Sequence, residues 1–441
     1  MHNLPESSRG QARNAWRVLL LLLLANLLNV YDRVIPAVLA EPLRQEFALT
    51  DTHIGILGTV FTLFYAIAGI PLGLLADRVP RRKLLAAGLA AWSGFTALCG
   101  WAQGFYSLLL MRVGVGIGEA ALAPSATSMI SDLFPQEKRS LAMGVYLLGL
   151  PLGMVIGFVT VGAIATAFES WRAAFLVAAL PGLLIAALCL RIKEPIRGAA
   201  ELMHAGTGLA AKPAHPIKTL LRIPAFWWIA LSGVGYNFAA YGVITFLVPL
   251  LQRYYHFPLG QAATLGGVII GGTGLIALSL GGFLADWAQR KNKNGRLLVS
   301  VGALALGAIL TWYGLRAESA SEFAWLFGAG WMLAYLYSPC IYPALQDLVV
   351  PHMRATAMGT YFAILYLFGA AFGSVAVGAL SDHYADKARL VAGVLEITQT
   401  HRATGLHDAL VIVPMALLVA AVACWVVTRL PHDGPEKNLD T

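Results

Sequence analysis

Apolar runs of about 20 residues recur along the whole chain, separated by short polar breaks. A helix of that length crosses a hydrocarbon layer about 30 Å thick, so each run reads as a membrane-spanning helix. Twelve are expected, near residues 16–40, 52–76, 83–102, 106–131, 139–166, 171–192, 224–251, 261–287, 296–314, 322–349, 355–380 and 406–429. Two connections stand apart: 193–223 is rich in Lys, Arg, Pro and His, and 381–405 is charged and polar. The fold class this predicts is all-α and integral to a membrane. The first run ends in "VLAEP", residues 38–42, whose small residues suit a signal peptidase. It is about twice as long as a signal core and contains Asn26, Asn29, Asp32 and Arg33, so a retained helix is expected.

Composition agrees: 58% of the 441 residues are hydrophobic and 12% charged, against roughly 25% charged in a soluble domain. The net charge of +8 would suit nucleic acid, but its distribution does not. With the N-terminus cytoplasmic, 22 of the 31 Lys and Arg residues lie on the cytoplasmic side. Seven lie opposite: Arg44, Arg172, Arg253, Arg316, Lys387, Arg389 and Arg402. That is the positive-inside bias, with both termini cytoplasmic. A bacterial inner membrane is the expected location. The expected partner at this point is the bilayer, with no nucleic acid, and a monomer is expected.

The four cysteines, Cys99, Cys189, Cys340 and Cys424, fall within apolar runs without CxxC spacing, which suggests neither a disulfide framework nor a zinc site. The ten histidines sit in loops or at span edges, and GxSxG, HExxH and GxxxxGK[ST] do not occur. An enzyme, ATP-driven transport, a metal or a cofactor is therefore not expected, and a non-transporting membrane receptor or enzyme is the remote alternative.

Two pairs of segments repeat in order. "GLLADRVPRRK", Gly73 to Lys83, is echoed by "GFLADWAQRKNK", Gly282 to Lys293, with the shared Asp offset by 209 residues. "DLFPQEKRSLAMG", Asp132 to Gly144, is echoed by "DLVVPHMRATAMG", Asp347 to Gly359. Spans 1–6 thus superpose on spans 7–12 in the same orientation, a parallel repeat of the kind that secondary transporters build around a midplane site. The expected organisation is a six-helix bundle at 1–192, a cytoplasmic linker at 193–223, and a second bundle with a short tail at 224–441.

These motifs resemble the major facilitator superfamily over nearly the whole chain. "GLLADRVPRRK" is similar to its loop between helices 2 and 3, with Pro80 where glycine is usual. "RVGVGIGE" from Arg112 resembles its helix 4 signature, and "SWRAAF" at 170–175 its entry into helix 6. "GLPLG", with Gly149, Pro151 and Gly153, is similar to the helix 5 motif of many exporters. Asn29, Asp32 and Arg33, with "WS" at 92–93, "GEA" at 118–120 and "DLF" at 132–134, resemble the Spinster group of lipid transporters. Organic anion:cation symporters share a similar Tyr-x-Asp-Arg and Gly-Glu-Ala. The resemblance implies two six-helix bundles, alternating access, and a lysophospholipid, sphingosine-1-phosphate-like or sphingoid substrate. It also implies that Asp77 belongs to a cytoplasmic gate, echoed weakly by Asp286 and Arg290.

Charge within a span costs about 2.5–3.5 kcal/mol per residue and marks a functional site by default. At 100° per residue, Asn26, Asn29, Asp32 and Arg33 fall within an arc of about 120° on the first helix. Arg112 and Glu119, seven apart on the fourth, share a face about 10 Å apart along the axis. Two acids and two bases sum to zero. Protonating Asp32 or Glu119 would leave a net positive cluster, with Arg33 and Arg112, able to take an anionic head group. Which acid carries the coupling proton is open, and a static network locking two helices is the alternative. Arg78, Arg81, Arg82 and Lys83 read as orientation markers beside Asp77, with a gating role for the first three.

Spans 7, 10 and 11 carry no such cluster but are aromatic: Tyr236, Tyr241, Phe246, Tyr335, Tyr337, Tyr342, Tyr361, Tyr366 and Phe372, with Asn237. A cavity polar on one wall and aromatic on the other suits an amphipathic solute. Tyr236, Asn237, Tyr241, Tyr335, Tyr361 and Tyr366 are the candidate contacts there. The alternative substrate is a small organic anion, such as a sugar acid or drug-like compound, for which Asn237, Thr245 and Gln346 are the polar supply.

Overall fold

The computed structural model describes residues 6–195, 216–350 and 353–430. Most of the connection at 193–223 and the C-terminal tail therefore lie outside the described residues. Among those described, the chain is helical, without a strand. It divides into two compact units, one of Met1–Ile35 and Phe64–Gly208, the other of Pro36–Leu63 and Leu209–Thr441. The boundaries fall inside two helices, α1 (Glu6–Val38) and α3 (Asp51–Arg78). Between them lies the short α2 (Ala40–Phe47), which ends on Ala48 in a left-handed conformation (φ 49°).

The first unit continues through α4 (Arg81–Cys99), α5 (Phe105–Glu119), α6 (Leu122–Leu133), α7 (Gln136–Leu147), α8 (Gly149–Ala167) and α9 (Trp171–Leu190). The second contains α10 (Pro216–Leu221), α11 (Pro224–Arg253), α12 (Leu259–Gly267), α13 (Thr273–Lys291) and α14 (Gly295–Leu315). After these come α15 (Ala320–Tyr335), α16 (Tyr337–Asp347), α17 (Arg354–Ile364), α18 (Ala371–Val391), α19 (Gln399–Ala409) and α20 (Ile412–Arg429). Single π turns, Val268–Gly272 and Leu365–Ala370, join α12 to α13 and α17 to α18.

Proline explains why so many expected spans are pairs of helices. Pro42, Pro124, Pro151, Pro339 and Pro414 each stand three or four residues past an interruption. Each removes the donor for the carbonyl four residues back, and its ring crowds that carbonyl, which weakens the preceding helix at that point; Pro36, Pro71 and Pro181 do the same within helices that continue. Among the described residues, ten helical stretches are long and apolar enough to cross a membrane. The expected span at 83–102 is occupied by α4, whose first three residues are basic, and the one at 322–349 by α15 and α16, broken at Leu336.

Helix contacts in the first unit rest on glycine. A Cβ on Gly153 would lie 2.5 Å from the Leu27 carbonyl oxygen, and one on Gly149 would lie 2.9 Å from the Leu27 nitrogen. Small residues four apart let α8 approach α1 to backbone distance. That contact fixes the face of α1 on which the polar residues stand.

Candidate functional site

The first unit assembles the embedded charges. Arg33 donates through Nε to Oε2 of Glu119 at 2.9 Å, and its guanidinium lies 4.3 Å from the centroid of the Tyr65 ring. Arg112 donates through Nη1 to the main-chain oxygen of Asp32 at 3.3 Å. Asp32, Arg112 and Glu119 are buried, whereas the Arg33 side chain keeps 19% of its surface. Asn26 donates to the Tyr146 carbonyl at 2.9 Å, tying α1 to the end of α7. Asn29 stands beside Glu119, and the Asp32 carboxylate stands beside Trp92 and Thr96 of α4.

Polar atoms of this group buried without a hydrogen-bond partner include Asn29 Nδ2, Asp32 Oδ1 and Glu119 Oε1. Buried polar atoms are almost always paired, and each exception calls for an explanation. The first unit therefore holds two buried acids beside two guanidinium groups. Such a set can exchange a proton, and a partly open Arg33 can meet an anion.

Of the expected gate residues, Arg81 has the most contacts. Its side chain, 1% exposed, reaches Asp132 at 2.5 Å, Ser128 at 2.7 Å, Glu194 at 3.0 Å and the Pro195 carbonyl at 2.9 Å. The amides of Arg81 and Arg82 donate to the Glu194 carboxylate, both at 3.0 Å, which caps α4. Burial works against the Glu194 charge, but these amides and the Arg81 guanidinium hold its carboxyl below the ordinary range. Arg82 also donates to the Ile192 carbonyl. Asp77 and Arg78 are exposed. In the second unit Arg296 bridges Asp286 at 3.0 Å and Asp347 at 2.8 Å, while Arg290 is exposed. Arg81 and Asp132 lie 51 residues apart, as do Arg296 and Asp347, so each unit carries an ion pair of the same sequence separation. Pro151 lies between Gly149 and Gly153 and is buried with them in α8.

The second unit places most of its candidate aromatics in one row. Tyr236 packs on Tyr337 at 4.9 Å; Tyr361, Tyr342, Phe362, Tyr366 and Tyr241 continue it at 5.5–6.4 Å. Hydroxyls run through its start, Ser232 to Tyr337 at 2.7 Å and Tyr337 to Tyr361 at 3.0 Å. Asn237 is turned back on its own helix, donating to the Gly233 carbonyl at 3.0 Å. Tyr335 belongs to a different stack, edge-on to Trp331.

A second charged group in this unit was not foreseen. Arg253 forks onto Asp51 at 2.7 and 2.8 Å and donates through Nε to Glu41 at 2.7 Å. Arg44 reaches Glu41 at 2.5 Å, and Ser381 donates to Asp51 at 2.6 Å. The Asp382 carboxylate accepts from the amides of Asp51 and Thr52 at 3.0 and 2.8 Å, capping α3. Arg44 and Arg253 read in the sequence as solvated loop charges. They are buried, and the only hint was that Glu41 and Asp51 flank Arg44 in one short connection.

The family model of the Major Facilitator Superfamily matches residues 22–374. An MFS-type efflux pump of Mycolicibacterium smegmatis is 29% identical over 96% of this chain and 94% of its own length. Protein spinster of Drosophila melanogaster is 28% identical over 86% of this chain, which spans 64% of that protein. A hexuronate transporter of Bacillus subtilis is 28% identical over 83% of this chain and 87% of its own length. Among solved structures, a bacterial homolog to the human lysosomal transporter Spinster aligns with TM-score 0.82 and 26% identity over 94% of this chain and 97% of that one. The chain belongs to the Major Facilitator Superfamily, as an integral membrane transporter similar to the Spinster proteins.

Proposed function

We propose that the protein is a proton-coupled secondary transporter that works by alternating access. Its substrate is an amphipathic anionic or zwitterionic lipid, a lysophospholipid or a sphingosine-1-phosphate-like molecule. The reading rests on one observation: two buried acids are packed with two arginines, one of them partly open. An anionic head competes with Glu119 for Arg33, while Asp32 or Glu119 takes up the balancing proton. Membrane-embedded ionisable groups serve such pathways in many transporters. The aromatic row of the second unit supports an apolar moiety in the substrate. Twelve spans, cytoplasmic termini, a bacterial inner membrane, monomeric action and no cofactor complete the proposal.

The likeness to a hexuronate transporter favours a second reading, in which the anion is a compact sugar acid or another organic anion. Liposomes holding the purified protein separate the two. Movement of NBD-labelled lysophosphatidylethanolamine or NBD-sphingosine phosphate, lost in Arg112→Ala, is the expected result. Uptake of radiolabelled glucuronate without lysolipid movement would replace the lipid reading by the second.

A further inference from the structure

Residue 36 is a proline within α1, so the carbonyl of Asp32, four residues earlier, has no i+4 amide donor. That same carbonyl accepts the hydrogen bond from Arg112, a buried guanidinium from α5. The Asp32 side chain, meanwhile, keeps its Oδ1 buried and without a partner. The boundary between the two compact units also falls between Ile35 and Pro36.

We propose that Pro36 is a positioning residue for the charge cluster. By withdrawing an amide and crowding the carbonyl with its ring, it turns the Asp32 main-chain oxygen into an acceptor for Arg112. The main chain thereby shares the load of a buried cation, and the Asp32 carboxylate is left with an uncommitted oxygen for proton exchange. A helix with an ordinary residue at 36 would direct an amide at the same oxygen. Arg112 would then turn toward the carboxylates, and the cluster would become a closed salt bridge. The functional half of this inference rests on the reading of the cluster as the transport site; the coupling of Pro36 to Arg112 does not.

The test is a double-mutant cycle on the full chain with Pro36→Ala, Arg112→Lys and both together, read in two ways. Thermal unfolding in detergent reports the coupling without any substrate, because sites that share a partner give non-additive shifts. NBD-sphingosine phosphate binding across pH 5.5–8.5 reports the role in the site. In the Arg112→Lys background Pro36→Ala is expected to shift the unfolding temperature by less than half of its shift alone. Alone it lowers probe affinity about tenfold and moves the midpoint of the pH profile, the scale of one hydrogen bond to a charged group. Pro71→Ala, in α3, changes the Ile67 carbonyl, which belongs to an exposed residue, and serves as the control for general helix effects. Additive unfolding shifts would overturn the proposal, as would a Pro36→Ala pH profile that coincides with wild type. Absence of probe binding by the wild type would remove the lipid reading and leave the unfolding cycle to decide the coupling.

Discussion

The Nε of Arg33 lies 2.9 Å from Oε2 of Glu119, 86 residues further along the chain, and one partner is fully buried while the other is partly open. Removing the open partner leaves a buried carboxylate with only the positive charge of Arg112 nearby, where breaking a buried pair costs up to about 3–5 kcal/mol. Arg33→Ala is therefore expected to lower thermal stability strongly, and Arg33→Ala with Glu119→Gln to recover part of the loss. Unfolding in detergent measures both. A double variant as unstable as the sum of the singles would show that the pair is not coupled.

The repeated ion pairs differ in burial, and so in energetic weight. Arg81 is enclosed by Asp132, Ser128 and Glu194, whereas the partners of Arg296, Asp286 and Asp347, are exposed. Exposed pairs contribute about 0–1 kcal/mol. Arg81→Ala is expected to destabilise several times more than Arg296→Ala, measured as the shift in unfolding temperature. Equal shifts would mean that the enclosure of Arg81 carries no energy.

Glycine substitutions give opposite signs at two sites. A Cβ on Gly153 meets the Leu27 carbonyl oxygen at 2.5 Å, so Gly153→Ala forces α8 off α1, at about 1–3 kcal/mol. Gly94, inside α4, has nothing within 4 Å of its Cβ position, and Gly94→Ala is expected to stabilise by about 0.5–1 kcal/mol through helix propensity. Transport by Gly153→Ala should fall with its stability, because Asn26 and the charged face of α1 lie beside that contact.

Glu41 makes the Arg253 network insensitive to physiological pH. Burial opposes its charge, but the Arg44 hydrogen bonds and the charges of Arg253 and Arg44 outweigh it and hold the carboxyl down to about 2, from an ordinary 4.5. A depressed acid contributes its stability fully above its unfolded value and loses it as pH falls toward the folded one. Glu41→Gln is thus expected to cost the same at pH 6 and pH 8. The gap to wild type should narrow only between about pH 4.5 and 2. Unfolding curves across that range check the sign.

Much of this was legible in the sequence for physical reasons. Asp32, Arg33, Arg112 and Glu119 stand out because charge is expensive among apolar residues, and helical spacing placed each pair on one face. Asp132 is visible in the repeat and in the "DLF" motif; that Arg81 buries itself against it and against Glu194 is not, since basic residues at span ends normally face water. The Glu41, Asp51 and Arg253 network was hidden for the same reason. Proline positions carry more than the apolar pattern does: α5 ends at Glu119, five residues before Pro124, and Pro36 alters the carbonyl that Arg112 takes. Which aromatics share a row depended on helix rotation, so Tyr335 was grouped with Tyr361 although they lie in separate stacks.

The central claim is that Asp32 and Glu119 couple a proton to movement of an anionic substrate. Its most direct test is flux of NBD-sphingosine phosphate in liposomes with and without an imposed pH gradient, for wild type and for Asp32→Asn with Glu119→Gln. Wild-type flux is expected to follow the gradient, and the double variant to bind the probe yet lose the gradient response. Gradient-driven flux in the double variant equal to that of wild type would contradict the account.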